Sequence, residues 1–188
     1  MSPSRISIRL GLVAVSTLTK STEPEDQDDP IAKLVCQKTL RGSWYADIDP
    51  RHVPLVLDAS SLVAVLLDDD APPIDVLFEG HVLDLTFYEA GNVLWKVHAL
   101  QDRTTAEEHA ELVSLLTDLR AELVVHDLEE IGFEAVMDVA TSTELTFYDA
   151  GYLACAEAID TILVTEDGEL LETAEERVNS CRVREYVT

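Results

Sequence analysis

Four carboxylates stand where acids can act together. Asp58 ends the apolar run VPLVL, Glu89 lies in LTFYEAG, Asp149 lies in LTFYDAG, and Asp167 follows TILVT by two residues. Two of them hold equivalent places in a repeated phrase, because residues 85–91 and 145–151 differ only in the exchange of Glu89 for Asp149. Carboxylates crowded into one place repel, and burial sharpens the repulsion unless a cation offsets it. A hard divalent ion does so. Mg²⁺ takes oxygen ligands, keeps several waters and leaves room in its shell for a substrate phosphate. It activates water and stabilises the attacking and leaving oxygens of a phosphodiester. Other chemistries lack their residues. No His pair or Cys group has zinc spacing. No G-x-G-x-x-G or Walker-type loop is present, and no G-x-S-x-G elbow. Ser60 fills the place of the second acid in a D-x-D motif.

Each acid also has a local role open to it. Glu89 and Asp149 suit capping boxes, where the helix dipole favours a negative charge. Asp58 suits an N-cap, and Asp167 before Gly168 suits a turn. Glu166 and Glu169 read as solvated surface acids. The four are set apart by topology, since a single fold brings all their positions to one end of a sheet.

The elements that must position them alternate. Apolar, β-branched stretches predict strands over residues 53–57, 82–85, 123–125, 161–165 and 183–187. Helical spacing predicts helices over 60–67, 87–99, 105–119, 129–139, from Thr146 onward, and over 168–176, with a short one at 74–78. Thr105 with Glu108, and Thr146 with Asp149, have capping-box spacing. Such alternation implies an α/β fold: a parallel sheet of about five strands between two helical layers, joined by right-handed crossovers. In these sheets ligands gather beyond the carboxyl ends of the strands, where the strand order switches. Asp58 and Asp167 follow strands, and Glu89 and Asp149 fall in first helical turns.

The chain has 188 residues, room for one domain with a sizeable core. Residues 1–52 differ from the rest. They hold seven acids and seven bases around the Pro-containing linker STEPEDQDDP, and read as a loosely attached extension, with a short helix around 31–40, preceding a domain over 53–188. Of 37 acids and 13 bases, 30 acids and 6 bases fall after residue 52, so the net charge of −24 sits on the domain. Small domains usually carry a net charge of magnitude roughly 2 to 8. Self-repulsion at −24 is relieved at 1 M salt, where the Debye length is about 3 Å. Four of the 13 bases are Lys, and this acid-rich, lysine-poor composition resembles that of proteins from salt-accumulating microbes. Cys36, Cys155 and Cys181 have no metal spacing, and Cys155 reads as a buried thiol. Residues 4–18 place two arginines before an apolar stretch but lack a clean cleavage site, and no run is long enough to span a membrane, so a cytoplasmic protein is expected.

The phrases VLDASSLVAVLL, LTFYEAGNVLWKV and LTFYDAGYLACAEAIDTILVTEDGELL, in this order, resemble the PIN-domain ribonucleases, above all the VapC toxins of VapBC toxin–antitoxin pairs. The resemblance implies a three-layer α/β/α fold and Mg²⁺- or Mn²⁺-dependent endonucleolytic cleavage of RNA. It also implies a small antitoxin partner and a homodimer built on the helices after Glu89. Carried over by position, Asp58, Glu89, Asp149 and Asp167 match the acidic metal site, with Asp58 and Asp149 as direct ligands. Ser60, Asn92 and Thr165 match residues that orient carboxylates. Lys96, seven residues after Glu89 on the same helix face, is the base best placed for an RNA phosphate. Bases are few for an RNA-binding protein, which leaves a non-catalytic binding module or a housekeeping RNA-processing nuclease as alternatives. A receiver-like domain fits less well, since no lysine follows Lys96.

Overall fold

The computed structural model describes residues 54–68, 74–77 and 80–186. The extension expected over residues 1–52, with Cys36 and the helix around 31–40, lies outside the described residues, as does the expected strand start at Val53. Five short strands, β1 (Leu55–Leu57), β2 (His81–Leu83), β3 (Val124–His126), β4 (Ile162–Val164) and β5 (Ser180–Cys181), form one sheet in the order β3-β2-β1-β4-β5. Every pairing is parallel. The helices are α1 (Ala59–Leu67), α2 (Asp84–Ala99), α3 (Ala106–Glu122), α4 (Leu128–Ile131), α5 (Phe133–Thr143), α6 (Phe147–Ala158), α7 (Gly168–Ala174) and α8 (Val183–Tyr186), with a 3₁₀ turn at Ile74–Leu77.

Strand residues alternate between faces, and the alternation divides the core in two. Leu55, Leu57, Val82, Ile162 and Val164 pack with Leu62 and Leu66 of α1, Leu94 of α2, and Leu112 and Leu119 of α3. Val56, Leu83 and Leu163 pack on the other side with Val136 and Val139 of α5, Leu153 and Ala156 of α6, and Leu170 of α7. This is the three-layer α/β/α architecture expected from the alternation. Because β1 and β4 are covered on both faces, they read as unbroken apolar runs rather than alternating ones. From β1 the chain builds outward to β3, then returns to the opposite side for β4 and β5. The order therefore switches between β1 and β4, and a crevice is expected at their carboxyl ends.

Three of the departures from the sequence expectation have a visible physical cause. The last strand was expected over residues 183–187, but β5 is Ser180–Cys181 and residues 183–186 form α8. Side chains capture the backbone donors there: Glu185 accepts from the Arg182 N–H at 3.0 Å and Glu166 from the Val183 N–H at 3.0 Å. The helix expected over 129–139 is broken into α4 and α5 at Gly132, whose φ of 95° suits glycine and interrupts the helix. The helix expected from Phe87 begins at Asp84, one residue after β2, because the Thr86 hydroxyl accepts from the Leu83 N–H at 3.2 Å and caps it early.

The repeated phrase ends in glycine both times, in different surroundings. A Cβ at Gly151 would stand 3.1 Å from the Leu83 Cδ1, whereas one at Gly91 would meet nothing within 4 Å. Glycine inside a helix costs about 0.5–1 kcal/mol relative to alanine. We expect Gly91→Ala to raise unfolding free energy by about that amount and Gly151→Ala to gain clearly less, as read from urea denaturation in high KCl. Equal gains at both sites would contradict the packing of α6 against β2.

Candidate active site

Asp58 leaves β1 in an extended conformation and serves as N-cap of α1, accepting from the Ser61 N–H at 2.8 Å. Only 5% of its surface is exposed. The Ser60 hydroxyl lies 2.9 and 2.7 Å from its two oxygens, and Thr165 donates to Oδ2 at 2.7 Å. The turn after β4 is stitched to the same point. The Glu166 N–H donates to Ser60 Oγ at 2.9 Å and the Asp167 N–H to Thr165 Oγ1 at 3.0 Å. Ser61 Oγ and the Asp58 N–H both donate to the Val164 carbonyl, at 2.8 and 3.3 Å. Burial raises the Asp58 carboxyl above the usual carboxylate range, against the opposing pull of these donors.

Glu89 is half-buried in the second turn of α2, not the first, because the helix starts early. Its Oε2 accepts from the Tyr152 hydroxyl at 2.8 Å, which also lies 3.1 Å from Thr86 Oγ1. Burial pushes the Glu89 carboxyl up and the Tyr152 bond pulls it down, while the charges of Asp149 and Asp58 push it up further. The three acids therefore share one electrostatic field. Asp149 sits half-buried in the first turn of α6. Its N–H donates to Thr146 Oγ1 at 3.2 Å, and that hydroxyl donates to the Asp149 carboxylate at 2.6 Å. The carboxylate thus bonds the threonine hydroxyl, where a capping box would have it take the backbone N–H of residue 146.

Asp167 is exposed, and its Oδ1 caps α7 by accepting from the Glu169 and Leu170 N–H groups, both at 2.9 Å. It is linked to Asp58 through Thr165. Asn92 and Lys96 are exposed further along α2, and no described hydrogen bond joins either side chain to the acids. Among the described residues, none of the four carboxylates is ion-paired with a Lys, Arg or His. Among them, too, no three His, Cys, Asp or Glu side chains are gathered tightly enough to enclose an ion. The donor set is nonetheless all oxygen and anionic, with Asp58 raised by burial and Glu89 by burial and by its acidic neighbours. That is the chemistry a hard divalent cation fits.

Tyr152 and Thr86 are site residues that the spacing argument missed. A signal for Tyr152 was present: it follows Asp149 by three on an otherwise apolar helix, and a buried tyrosine hydroxyl requires a partner. Glu166, expected to be a solvated surface acid, instead holds Arg182 at 3.1 Å as well as the Val183 N–H. Cys155 is buried, as expected, with its thiol pushed up to about 12 by desolvation.

Residues 55–176 match the family model described as PIN domain, a span that contains all four acids. The chain belongs to the PIN domain family. Exonuclease VapC9 of Pyrobaculum aerophilum is 40% identical over 90 residues, covering 48% of this chain and 63% of that protein. The match thus spans less than two thirds of the length of VapC9. Ribonuclease VapC3 of the same organism is 33% identical over 123 residues, 63% of this chain and 92% of that protein. The crystal structure of PAE2754 from Pyrobaculum aerophilum superposes with a TM-score of 0.57 at 32% identity, over 72% of this chain and 94% of that one. The PIN domain here is therefore similar to VapC-type proteins in sequence, and to PAE2754 in both sequence and fold.

With Asp58 and Glu89 both raised, the folded PIN domain binds more protons than the unfolded chain just above the ordinary carboxylate range. Without divalent ions, these two groups should therefore add stability as pH falls through their raised folded values, all of it present below the ordinary carboxylate range. Glu89→Gln keeps an acceptor for Tyr152 and removes one of the two linked groups. Urea denaturation in EDTA should show a shallower pH slope for this variant. An unchanged slope would mean that Glu89 ionises as freely folded as unfolded.

Proposed function

We propose that this PIN domain is a metal-dependent endoribonuclease and acts as the toxin of a toxin–antitoxin pair. The observation that carries the reading is the field shared by Asp58, Glu89 and Asp149 at the switch point of the sheet, with no described base to neutralise it. Mg²⁺ or Mn²⁺ bound there would supply Lewis acidity and an activated water for phosphodiester hydrolysis. Asp58 and Asp149 are the direct ligands in this reading, and Glu89 and Asp167 act directly or through water. Ser60 and Thr165 fix both oxygens of Asp58, and Tyr152 fixes Glu89, so the acids are held in place by hydroxyl donors that add no charge. Asn92 could orient an outer water, and Lys96 remains available to a phosphate farther along the strand.

The relatives VapC3, a ribonuclease, and VapC9, an exonuclease, support nuclease chemistry and leave the mode of cutting as a second question. A circular RNA has no ends, so its linearisation by this protein would favour the endonuclease over the exonuclease mode. For partners we infer a small antitoxin that covers the acids with a basic side chain, and a homodimer. Trp95, Leu100 and Val113, exposed on the α2–α3 hairpin, support a second copy there. Among the described residues no helix is long and apolar enough to cross a membrane, and the composition favours a salt-rich cytoplasm.

In 1 M or higher KCl with Mn²⁺, the protein should cut a structured RNA, and Asp58→Asn should reduce cutting at least about a hundredfold. Thr165→Val, which removes one donor to Asp58, should weaken Mn²⁺ binding by about 10- to 100-fold in calorimetry. Full cleavage by Asp58→Asn would remove the assigned centre, and no divalent-ion binding by the intact protein would favour a non-catalytic module.

A further inference from the structure

A chain of ionisable side chains lies outside the acidic pocket, at the edge of the sheet. His81 opens β2 and His126 closes β3, the edge strand. His81 pairs with Val124, two residues before His126, so both rings stand on one face. His81 Nδ1 lies 2.7 Å from His126 Nε2. The ring planes differ by 9° and the centroids are 5.1 Å apart. That separation is close to the N···N distance plus the two ring radii, so the rings meet end to end. On its far side, His126 Nδ1 lies 3.3 Å from Glu130 Oε2 on α4. Both rings are half-buried and Glu130 is exposed. Around the pair, Asp127 caps α4 through the Glu129 and Glu130 amides, and Cys155 of α6, which feels the charge of Glu130, is kept a neutral thiol by burial.

A gap of 2.7 Å between two imidazole nitrogens holds a single hydrogen. With both rings neutral, His126 turns its own N–H to Glu130, and His81 Nδ1–H donates to the lone pair of His126 Nε2. With one ring charged, a single hydrogen still fills the gap and Glu130 offsets the charge. With both charged, each facing nitrogen carries a hydrogen and the contact must open. We propose that His81, His126 and Glu130 form a latch at the edge of the sheet, which holds β3 and α4 to β2 while the pair carries at most one positive charge, and releases them when acid supplies a second. Burial, and then the charge of His126, hold His81 below the ordinary imidazole range, as suits the ring that charges last. A group lowered in this way contributes stability above the ordinary imidazole range, and that stability is lost as pH falls through it towards the folded value. The sign is opposite to that of Asp58 and Glu89. The latch does not rest on the nuclease reading.

The test uses the full chain in high KCl with EDTA, so that no transition ion replaces the shared hydrogen. Imidazole ¹⁵N shifts, followed by NMR from about pH 8 downward, report the charge on each ring. His81 and His126 should charge in two steps separated by about a unit or more, and Glu130→Gln should move the first step to lower pH. Val124 reads the latch, because its N–H donates to the Gly80 carbonyl at 2.9 Å. Its exchange protection, corrected for the intrinsic rate, should hold through the first step. Through the second it should fall by up to about tenfold per pH unit, the limit for one proton. His81→Gln leaves His126 alone with Glu130 and should flatten that fall. Rings that charge in one step, a His81 that never charges in the folded chain, or a Val124 amide still protected when both rings are charged would overturn the proposal. So would an unchanged acid loss of protection in His81→Gln, which would assign the opening to another group.

Discussion

Asp58 is a nearly buried carboxylate held by two hydroxyls and a backbone amide, with no described base beside it. Hydroxyl and amide donors offset part of the cost of burying its charge, but they cannot cancel the charge itself. The arrangement also joins three elements, because Asp58 ends β1, caps α1 and binds the residue that follows β4. Sheet register and pocket are therefore one constraint. A shift of β1 against β4 would part Asp58 from Thr165 and exchange the side chains that β1 gives to the two halves of the core.

The duplicated phrase shows how one sequence serves two packing roles. Thr86 and Thr146 are equivalent in sequence, yet Thr86 is buried between the Leu83 amide and Tyr152, while Thr146 is exposed and bonds Asp149. The difference follows from what precedes each helix. α2 starts directly from β2, so its first turn lies against the sheet, whereas α6 follows Glu144 in a left-handed turn with φ of 63°. The duplication therefore does not give the site two-fold symmetry. It supplies two acids of different reach, with the longer glutamate on the helix that starts flush with its strand.

Much of this was legible from residue types and spacing: the order of elements, the parallel sheet, and the positions of Asp58, Glu89 and Asp149 around its carboxyl end. Those inferences rest on periods of 2.0 and 3.6 residues, which single residues rarely disturb. What escaped depends on side-chain reach. Residues 183–186 have strand-like composition, but Glu185 and Glu166 claim the amides that a strand would offer its neighbour. Glu166 looked solvated because its partner Arg182 is 16 positions away. Tyr152 looked like core and is core, except for its hydroxyl. Its ring belongs to the packing of α6, and its last atom belongs to the site.

The charge of the chain and the charge of the pocket pose separate physical problems. Most of the acids outside the pocket lie on exposed helix surfaces in water, and salt screens them within a few ångströms at molar concentration. Asp58 and Glu89 sit where mobile ions penetrate poorly, so raising the KCl concentration relieves them little. A monovalent salt can therefore make this domain soluble and compact without relaxing the pocket. What relaxes the pocket must enter it, carry concentrated positive charge and accept oxygen ligands.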